Sequence, residues 1–286
     1  HLVRAAGRSV LLDCGMIPGG REDEAHNYDP FPFDPTQLDA LVISHAHIDH
    51  IGRVPLLVKR GFRGPIFIQQ AGAELMPVML LDSASLAQSE AERANRNLRH
   101  GMAKVSPLYD HEDVEQAMQQ VRPLAYDANL EILPGVRIAL RDAGHILGSC
   151  IVELWADGRK LVFSGDLGPK GTPILRDPTV IDEADLVLME STYGDRNHRE
   201  RLDTIKELGG IFDEAWRDHG NVLIPAFAVG RTQELLYWFA LHWDEWQLSR
   251  WRIFLDSPMA AKVVSIYDRH ASLFDTDAHQ VWKQKP

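Results

Sequence analysis

The segment Ser44-His45-Ala46-His47-Ile48-Asp49-His50 constrains this chain more than any other stretch. It places three histidines and one acid within six positions, and the residue composition gives such a window a chance on the order of 10⁻⁵ of arising by accident. The short apolar run 41–43 before it predicts a buried strand, and Gly52, Pro55 and the apolar spacing after it predict a helix. We therefore expect the four side chains on a strand-to-helix turn.

The four ligand-type side chains of this segment are expected to face two different ions. In an extended segment residues i and i+2 point to the same side, so His45 and His47 can converge on one ion. Asp49 and His50 fall at the predicted start of the helix, where free N–H groups favour a carboxylate, and they face a second ion. Imidazole with carboxylate suits Zn²⁺, and ligand type alone leaves Mn²⁺ and iron open. The alternative is an exposed histidine-rich turn, which needs no such arrangement.

Composition indicates a globular protein with a packed core. The 286 residues are 45% hydrophobic, enough for one large domain or two ordinary ones, and no apolar run reaches the roughly 18 residues of a membrane span. Cys14 and Cys150 form no Cys-x-x-Cys pair, which fits a reducing cytoplasm. The net charge of −11 repels polyanions, so any attraction to nucleic acid has to come from local patches and metal ions. The chain begins inside an apparent strand at Leu2, which predicts a piece trimmed from something longer.

Two further candidate ligands stand at the ends of predicted strands. His145 lies in the glycine-rich turn 144–149, and Asp166 follows the apolar run 160–164. Taken singly, each is more often an ordinary turn residue. Together with the histidine segment they supply a third imidazole for one ion and a carboxylate able to bridge two ions, which favours a metal site.

The sequence leaves two alternative roles for each of two acids. Asp13 ends the buried run 10–12, and is either a solvated turn acid or an acid that orients a ligand histidine. Glu190 ends the run 186–189 beside a polar turn, and is either an acid/base partner or a salt-bridged turn acid.

Beyond residue 200 the pattern alternates between helix and strand. Helices are predicted at 202–212, 233–242 and 259–274, with strands at 221–224 and 253–255. This alternation indicates a parallel α/β unit, with a domain boundary near Arg199. Turns after the strands of such units bind phosphates, which makes Arg231 and Ser257 substrate-binding candidates, together with His198 in the polar turn upstream; plain connectors are the alternative.

These motifs resemble those of the metallo-β-lactamase superfamily and, within it, the β-CASP RNA-processing nucleases. Ser44 to Pro55 marks the superfamily, whereas Met189 to Gly194 and Ile224 to Arg231 point to the β-CASP group. The resemblance spans nearly the whole chain and implies an α/β fold, α+β by some schemes. A metallo-β-lactamase αββα sandwich would occupy residues 1–199, without its first strand and C-terminal part, and the N-terminal part of an α/β β-CASP cap domain would occupy 200–286. Further matching stretches are 12–15, 143–149, 164–166 and 256–258.

Position by position, the resemblance implies two Zn²⁺ ions, with Mn²⁺ as the alternative. Asp13 would orient a ligand histidine without binding an ion itself, and Glu190 would pair with a histidine that acts as general acid. That histidine and one more ligand of the second ion are expected beyond Pro286. His270 and His279 do not stand in matching contexts. The implied ligands are His45, His47 and His145 for one ion and Asp49, His50 and a bridging Asp166 for the other; the implied catalytic residues are Asp49, Asp166 and Glu190.

The activity implied is that of a zinc-dependent phosphodiesterase, a hydrolase that cleaves RNA internally or from the 5′ end through a hydroxide activated by two metal ions. The expected partner is RNA, with single-stranded DNA second, no membrane, and a homo-oligomer left open. Three alternatives remain: a single-stranded DNA exonuclease of the same family, a thioester or lactam hydrolase on the same fold, and a non-catalytic β-CASP scaffold subunit. A second domain with phosphate-type turns argues against a small substrate, and filled ligand positions argue against a scaffold.

Overall fold

A computed structural model describes residues 1–96, 98, 104–197 and 199–283. The chain divides into two compact units. The first combines His1–Lys170 with Asp177–Met189, and the second combines Gly171–Arg176 with the chain from Glu190 onward. The boundary expected near Arg199 stays a prediction.

The first unit contains two five-stranded sheets. In the first sheet, β1 (Leu2–Ala5) and β2 (Arg8–Leu12) are antiparallel, and β3 (Ala40–Val42), β4 (Ile66–Gln69) and β5 (Val121–Leu124) continue in parallel. In the second, β6 (Leu130–Leu133), β7 (Val136–Asp142), β8 (Cys150–Ala156) and β9 (Arg159–Phe163) are antiparallel, and β10 (Leu186–Leu188) joins β9 in parallel.

One apolar core is shared by the two sheets. Leu12 and Val42 of the first sheet belong to the same buried cluster as Leu140 and Val152 of the second. Alternate residues of each strand point inward, so the period-2 pattern of the sequence places these side chains on facing surfaces. Each fully buried Val or Leu side chain contributes about 1.5–3 kcal/mol, and this shared core therefore holds the sandwich together.

Helices complete the first unit. The long α4 (Gln70–Arg96) packs against β4, β5 and α5 (His111–Gln119), and its buried side includes Leu75, Met76 and Leu80. Asp110 caps the N-terminus of α5, because its carboxylate accepts a hydrogen bond from the backbone N–H of Asp113 at 3.1 Å. Among the residues that the structure describes, no helix combines the length and apolar character needed to cross a membrane. The helices are α1 (Arg21–Ala25), α2 (Ile48–Ile51), α3 (Val54–Lys59), α4 (Gln70–Arg96) and α5 (His111–Gln119).

The second unit has the predicted helices but lacks the predicted strands. Within 199–283 the structure contains no strand, so the strands expected at 221–224 and 253–255 were wrong. Val222 and Ile224 do pack against the cluster of Phe212 and Trp246, as their apolar character requires. A strand additionally needs a neighbouring backbone for its N–H and C=O groups, and apolar content alone does not provide one. The helices are α6 (Arg201–Arg217), α7 (Arg231–Leu241), α8 (Pro258–Arg269) and α9 (Thr276–Lys283).

The two cysteines are buried free thiols. Burial raises the pKa of Cys14 to about 12 and raises the pKa of Cys150 well above its ordinary value. Because the thiolate is the reacting form, we expect Ellman's reagent at about pH 8 to leave both thiols unmodified in the native protein and to modify both in guanidinium. Absorbance of the released thionitrobenzoate measures this. Rapid modification before unfolding would contradict the burial of these thiols.

Candidate metal centre

The predicted ligands lie where strands of both sheets end. The histidine segment follows β3, His145 lies in the turn after β7, and Asp166 follows β9. β7 and β9 both run antiparallel to β8, so their carboxyl ends share one edge of the second sheet. The backbone N–H of Cys150 donates to the Ser44 carbonyl at 2.8 Å and ties this edge to the loop after β3. Residues far apart in the sequence thus meet at one place.

The first group of ligand atoms comprises three imidazoles and one carboxylate. His45, His47, His145 and Asp166 each offer one atom, and these four atoms lie within 4.8 Å of one another. His47 Nδ1 lies 3.0 Å from His45 Nε2 and 3.2 Å from His145 Nε2. Asp166 Oδ2 lies 3.7 Å from His45 Nε2 and 3.6 Å from His145 Nε2. Four such atoms around one point are a donor set that suits a tetrahedral ion.

A second group shares Asp166 with the first. Asp49, His50 and Asp166 also offer atoms within 4.8 Å of one another. His50 Nε2 lies 3.2 Å from Asp166 Oδ1 and 3.7 Å from Asp49 Oδ2. Asp166 therefore turns Oδ2 toward the first group and Oδ1 toward the second, which is the placement a bridging carboxylate requires.

Asp13 lies directly behind the second group. Its Oδ2 accepts a hydrogen bond from His50 Nδ1 at 2.7 Å, and its Oδ1 accepts one from the Ser44 backbone N–H at 2.7 Å. The residue adopts a left-handed backbone with φ of 57°, a conformation that Asp tolerates better than most residues. The bond to Nδ1 fixes the ring of His50 so that Nε2 faces Asp166 and Asp49.

Burial keeps two imidazoles of the first group, those of His45 and His47, neutral. Burial, followed by the neighbouring rings of His50 and His47, holds the pKa of His45 well below its usual value. Burial and then His145 lower the pKa of His47 to about 4. Neutral imidazoles carry the lone pairs that metal ions bind, so these rings need not lose a proton at neutral pH.

The second group carries a proton in the metal-free protein. Burial works against a charge on His50, but the hydrogen bonds that His50 donates to Asp13 and Asp166 outweigh it and raise its pKa to about 10. Burial likewise works against ionisation of Asp166, and the hydrogen bond with His50 is sufficient to lower its pKa. A cation at the second group would therefore take the place of the proton on His50.

Comparison with known protein families agrees with this arrangement. The family model of the metallo-beta-lactamase superfamily matches residues 1–210, and the model of the Beta-Casp domain matches residues 232–286. The chain belongs to the β-CASP group of the metallo-β-lactamase superfamily. The fold class expected from the motifs, a metallo-β-lactamase sandwich joined to part of a β-CASP domain, is confirmed.

Relatives of this β-CASP chain include three proteins of different domains of life. Ribonuclease TTHA0252 of Thermus thermophilus is 41% identical over 288 residues, which cover 100% of this chain and 62% of the relative. Transcription termination factor FttA of a Lokiarchaeum species is 34% identical, over 82% of this chain and 36% of the relative. Endoribonuclease ysh1 of Schizosaccharomyces pombe is 28% identical, over 100% of this chain and 36% of the relative. The chain thus spans less than two thirds of each of these relatives.

The donor set of this β-CASP chain fits the metal ions that its superfamily implies. The first group is rich in neutral nitrogen ligands, which suit zinc, and the second adds carboxylate oxygens, which suit zinc or manganese. In addition, Asp13 orients His50 through a hydrogen bond to Nδ1, as carboxylates outside the coordination sphere commonly orient metal-binding histidines. The residues present are therefore able to hold metal ions.

Other residues of the expected β-CASP site lie in the second unit, and their roles stay predictions. Glu190 accepts a hydrogen bond from the Thr192 backbone N–H at 3.2 Å. Arg231 pairs with Glu234 Oε2 at 2.6 Å, and Ser257 Oγ accepts a hydrogen bond from the Ala260 backbone N–H, which caps α8. His198 lies outside the described residues.

Several residues that support the candidate metal centre gave little or no signal of this role in the sequence. Ser149 Oγ accepts hydrogen bonds from the backbone N–H groups of His145 at 3.0 Å and Ile146 at 3.2 Å, and so shapes the His145 turn. Gly15 and Gly168 allow two backbone segments to approach closely, since a Cβ on either would overlap the chain opposite. A serine four residues after a candidate ligand in a glycine-rich turn is the only local hint of the first role.

Proposed function

We propose that this chain holds the metal centre of a metal-dependent phosphodiesterase that cleaves RNA. The observation that carries the proposal is the pair of ligand groups joined by Asp166. Three imidazoles and one carboxylate oxygen would hold one ion, and Asp49, His50 and the other oxygen of Asp166 would hold the second. Zinc is the ion proposed for both, with manganese as the alternative.

Divalent ions, when bound, lower the pKa of water toward about 7 and neutralise charge on a phosphate. Hydrolysis of a phosphodiester requires both effects. The residues of the chain supply orientation. Asp13 keeps the ring of His50 fixed, and Asp166 ties the two ligand groups together. Asp49 is the most exposed of the ligands, with 48% of its side chain accessible, so the substrate is expected to approach on its side.

RNA is the proposed substrate because two of the relatives are named as ribonucleases. The net charge of −11 argues that a polyanion binds through local cations rather than through the overall field. Metal ions and Arg231 are the local cations proposed here. Binding of this kind follows the backbone and shape of the strand more than its bases.

Metal content and RNA cleavage, measured together on Asp49→Ala, test the proposal. Asp49 belongs to the second group alone, so the variant should keep one ion per chain and lose the other. We expect cleavage of end-labelled RNA to fall about a thousandfold, since the Lewis-acid effect of one ion is worth several kcal/mol and each 1.36 kcal/mol is tenfold. Asp182 is an exposed acid outside both ligand groups, so Asp182→Ala is the matched control and should behave as wild type.

Parallel assays separate the alternatives. Single-stranded DNA, a thioester and a lactam are offered to the same preparation, and the proposal expects RNA to be cleaved fastest. Unchanged RNA cleavage in Asp49→Ala would contradict the assignment. Metal binding without cleavage of any substrate would favour the scaffold alternative, and preferred cleavage of the thioester or lactam would overturn the substrate class.

A further inference from the structure

Ser44 is a fully buried serine whose hydroxyl contacts residues of both ligand groups. Its Oγ lies 2.6 Å from Asp13 Oδ2, 3.1 Å from His45 Nδ1 and 3.4 Å from His50 Nδ1. His45 belongs to the first group and His50 to the second, so the single hydroxyl of Ser44 contacts a histidine of each group.

The hydrogen bonds of Asp13 decide where the serine proton lies. Both carboxylate oxygens accept hydrogen bonds, Oδ1 from the Ser44 backbone N–H and Oδ2 from His50 Nδ1. Ser44 Oγ lies 2.6 Å from Asp13 Oδ2, a short separation that is typical of a hydroxyl donating to a carboxylate. The hydroxyl proton of Ser44 therefore points to Asp13.

Because the hydroxyl proton of Ser44 points to Asp13, the tautomer of His45 is determined. A hydroxyl has one proton, so toward His45 Nδ1 the oxygen of Ser44 can only accept. His45 Nδ1 must then carry the ring proton, and the lone pair lies on Nε2. Nε2 is the atom that faces His47 and Asp166, where the first ion is proposed.

We propose that Ser44 is a positioning residue that selects the metal-binding tautomer of His45 and links its orientation to Asp13 and His50. The inference rests on the proposed metal site but concerns the metal-free protein as well. Gly165 reinforces it, because a Cβ there would lie 2.6 Å from Ser44 Cβ and 2.8 Å from Oγ. The backbone of Gly165 thus packs directly on the serine and restricts its side chain.

The test compares Ser44→Ala with wild type in the full chain, using ¹⁵N-labelled histidine. In metal-free protein, long-range ¹H–¹⁵N spectra at about pH 7.5 should show His45 protonated at Nδ1, with the signal assigned by its loss in His45→Gln. In Ser44→Ala we expect a mixture of tautomers. Titration with Zn²⁺ should give an affinity about 10–100-fold lower, the usual effect of removing a group that orients a ligand.

Two variants separate positioning from folding. Ser164→Ala removes another buried hydroxyl near Gly165, one that donates to the Gly165 carbonyl at 2.6 Å, and should leave the tautomer unchanged. Ser44→Thr keeps the hydroxyl and should retain Nδ1–H.

Wild-type His45 protonated at Nε2, or a Ser44→Ala variant with unchanged tautomer and unchanged affinity, would overturn the inference. A chain that shows the predicted tautomers yet binds no Zn²⁺ would instead overturn the proposed function.

Discussion

Asp166→Ala should abolish binding of one metal ion, weaken binding of the other and lower RNA cleavage more than the loss of any ligand confined to one group. Asp166 is the only described residue that belongs to both groups, with Oδ2 toward the first and Oδ1 toward the second. Without it the second group retains only Asp49 and His50, whereas the first retains three imidazoles. Loss of an outer partner already costs 10–100-fold in affinity, so loss of this ligand should weaken the first ion by about tenfold or more.

Metal titration followed by calorimetry measures this effect on both ions. His145→Ala provides the comparison within the first group, and Asp49→Ala provides it within the second. Each of these should affect mainly one binding event, and Asp166→Ala both. Cleavage by Asp166→Ala should fall by at least the roughly thousandfold expected from losing one ion. If all three variants lost RNA cleavage equally while metal binding stayed intact, the Asp166 carboxylate would not be shared between two ions.

Gly168→Ala should lower the stability of the first unit sharply and displace the His145 turn. A Cβ at Gly168 would overlap the Gly144 carbonyl and lie 2.9 Å from the backbone nitrogen of His145. Backbone cannot move aside as a flexible side chain can, so we expect a loss of about 3 kcal/mol in the free energy of unfolding. For a unit of this size that loss corresponds to a fall in Tm of about 6–12 °C.

Thermal unfolding and Zn²⁺ titration of the same variant measure the two effects. Gly20→Ala is the matched control, because a Cβ at Gly20 meets no atom within 4 Å. Gly15→Ala should behave like Gly168→Ala, since a Cβ there would overlap the Asp49 carbonyl and lie 2.6 Å from the His50 nitrogen. A Gly168→Ala variant as stable as Gly20→Ala would mean that the two loops are not in close contact.

The placement of the candidate ligands could be predicted because it depends on local rules. His45 and His47 share a side of an extended segment, Asp49 and His50 lie in a short helix, and Asp166 follows a strand. These features are visible in neighbouring residues. The pairing of Oδ1 and Oδ2 with different groups depends on how the strands meet, and only the structure places those atoms.

Other features depend on contacts between distant segments and left no local pattern. Nothing near Ser44 indicates that its hydroxyl meets Asp13, thirty-one residues earlier in the chain. β5 was missed because Val121–Leu124 contains a charge and a proline and has no alternating pattern. The strand expected at 221–224 was wrong for the converse reason, since its apolar residues pack without a neighbouring strand.

Anomalous diffraction at the zinc edge, collected on crystals of the full chain grown with Zn²⁺, tests the central claim most directly. Two peaks are predicted, one contacted by His45, His47 and His145 and the other by Asp49 and His50, with a carboxylate oxygen of Asp166 on each. No peak at this edge of the sheets, or peaks that leave Asp166 uncoordinated, would contradict the shared metal centre.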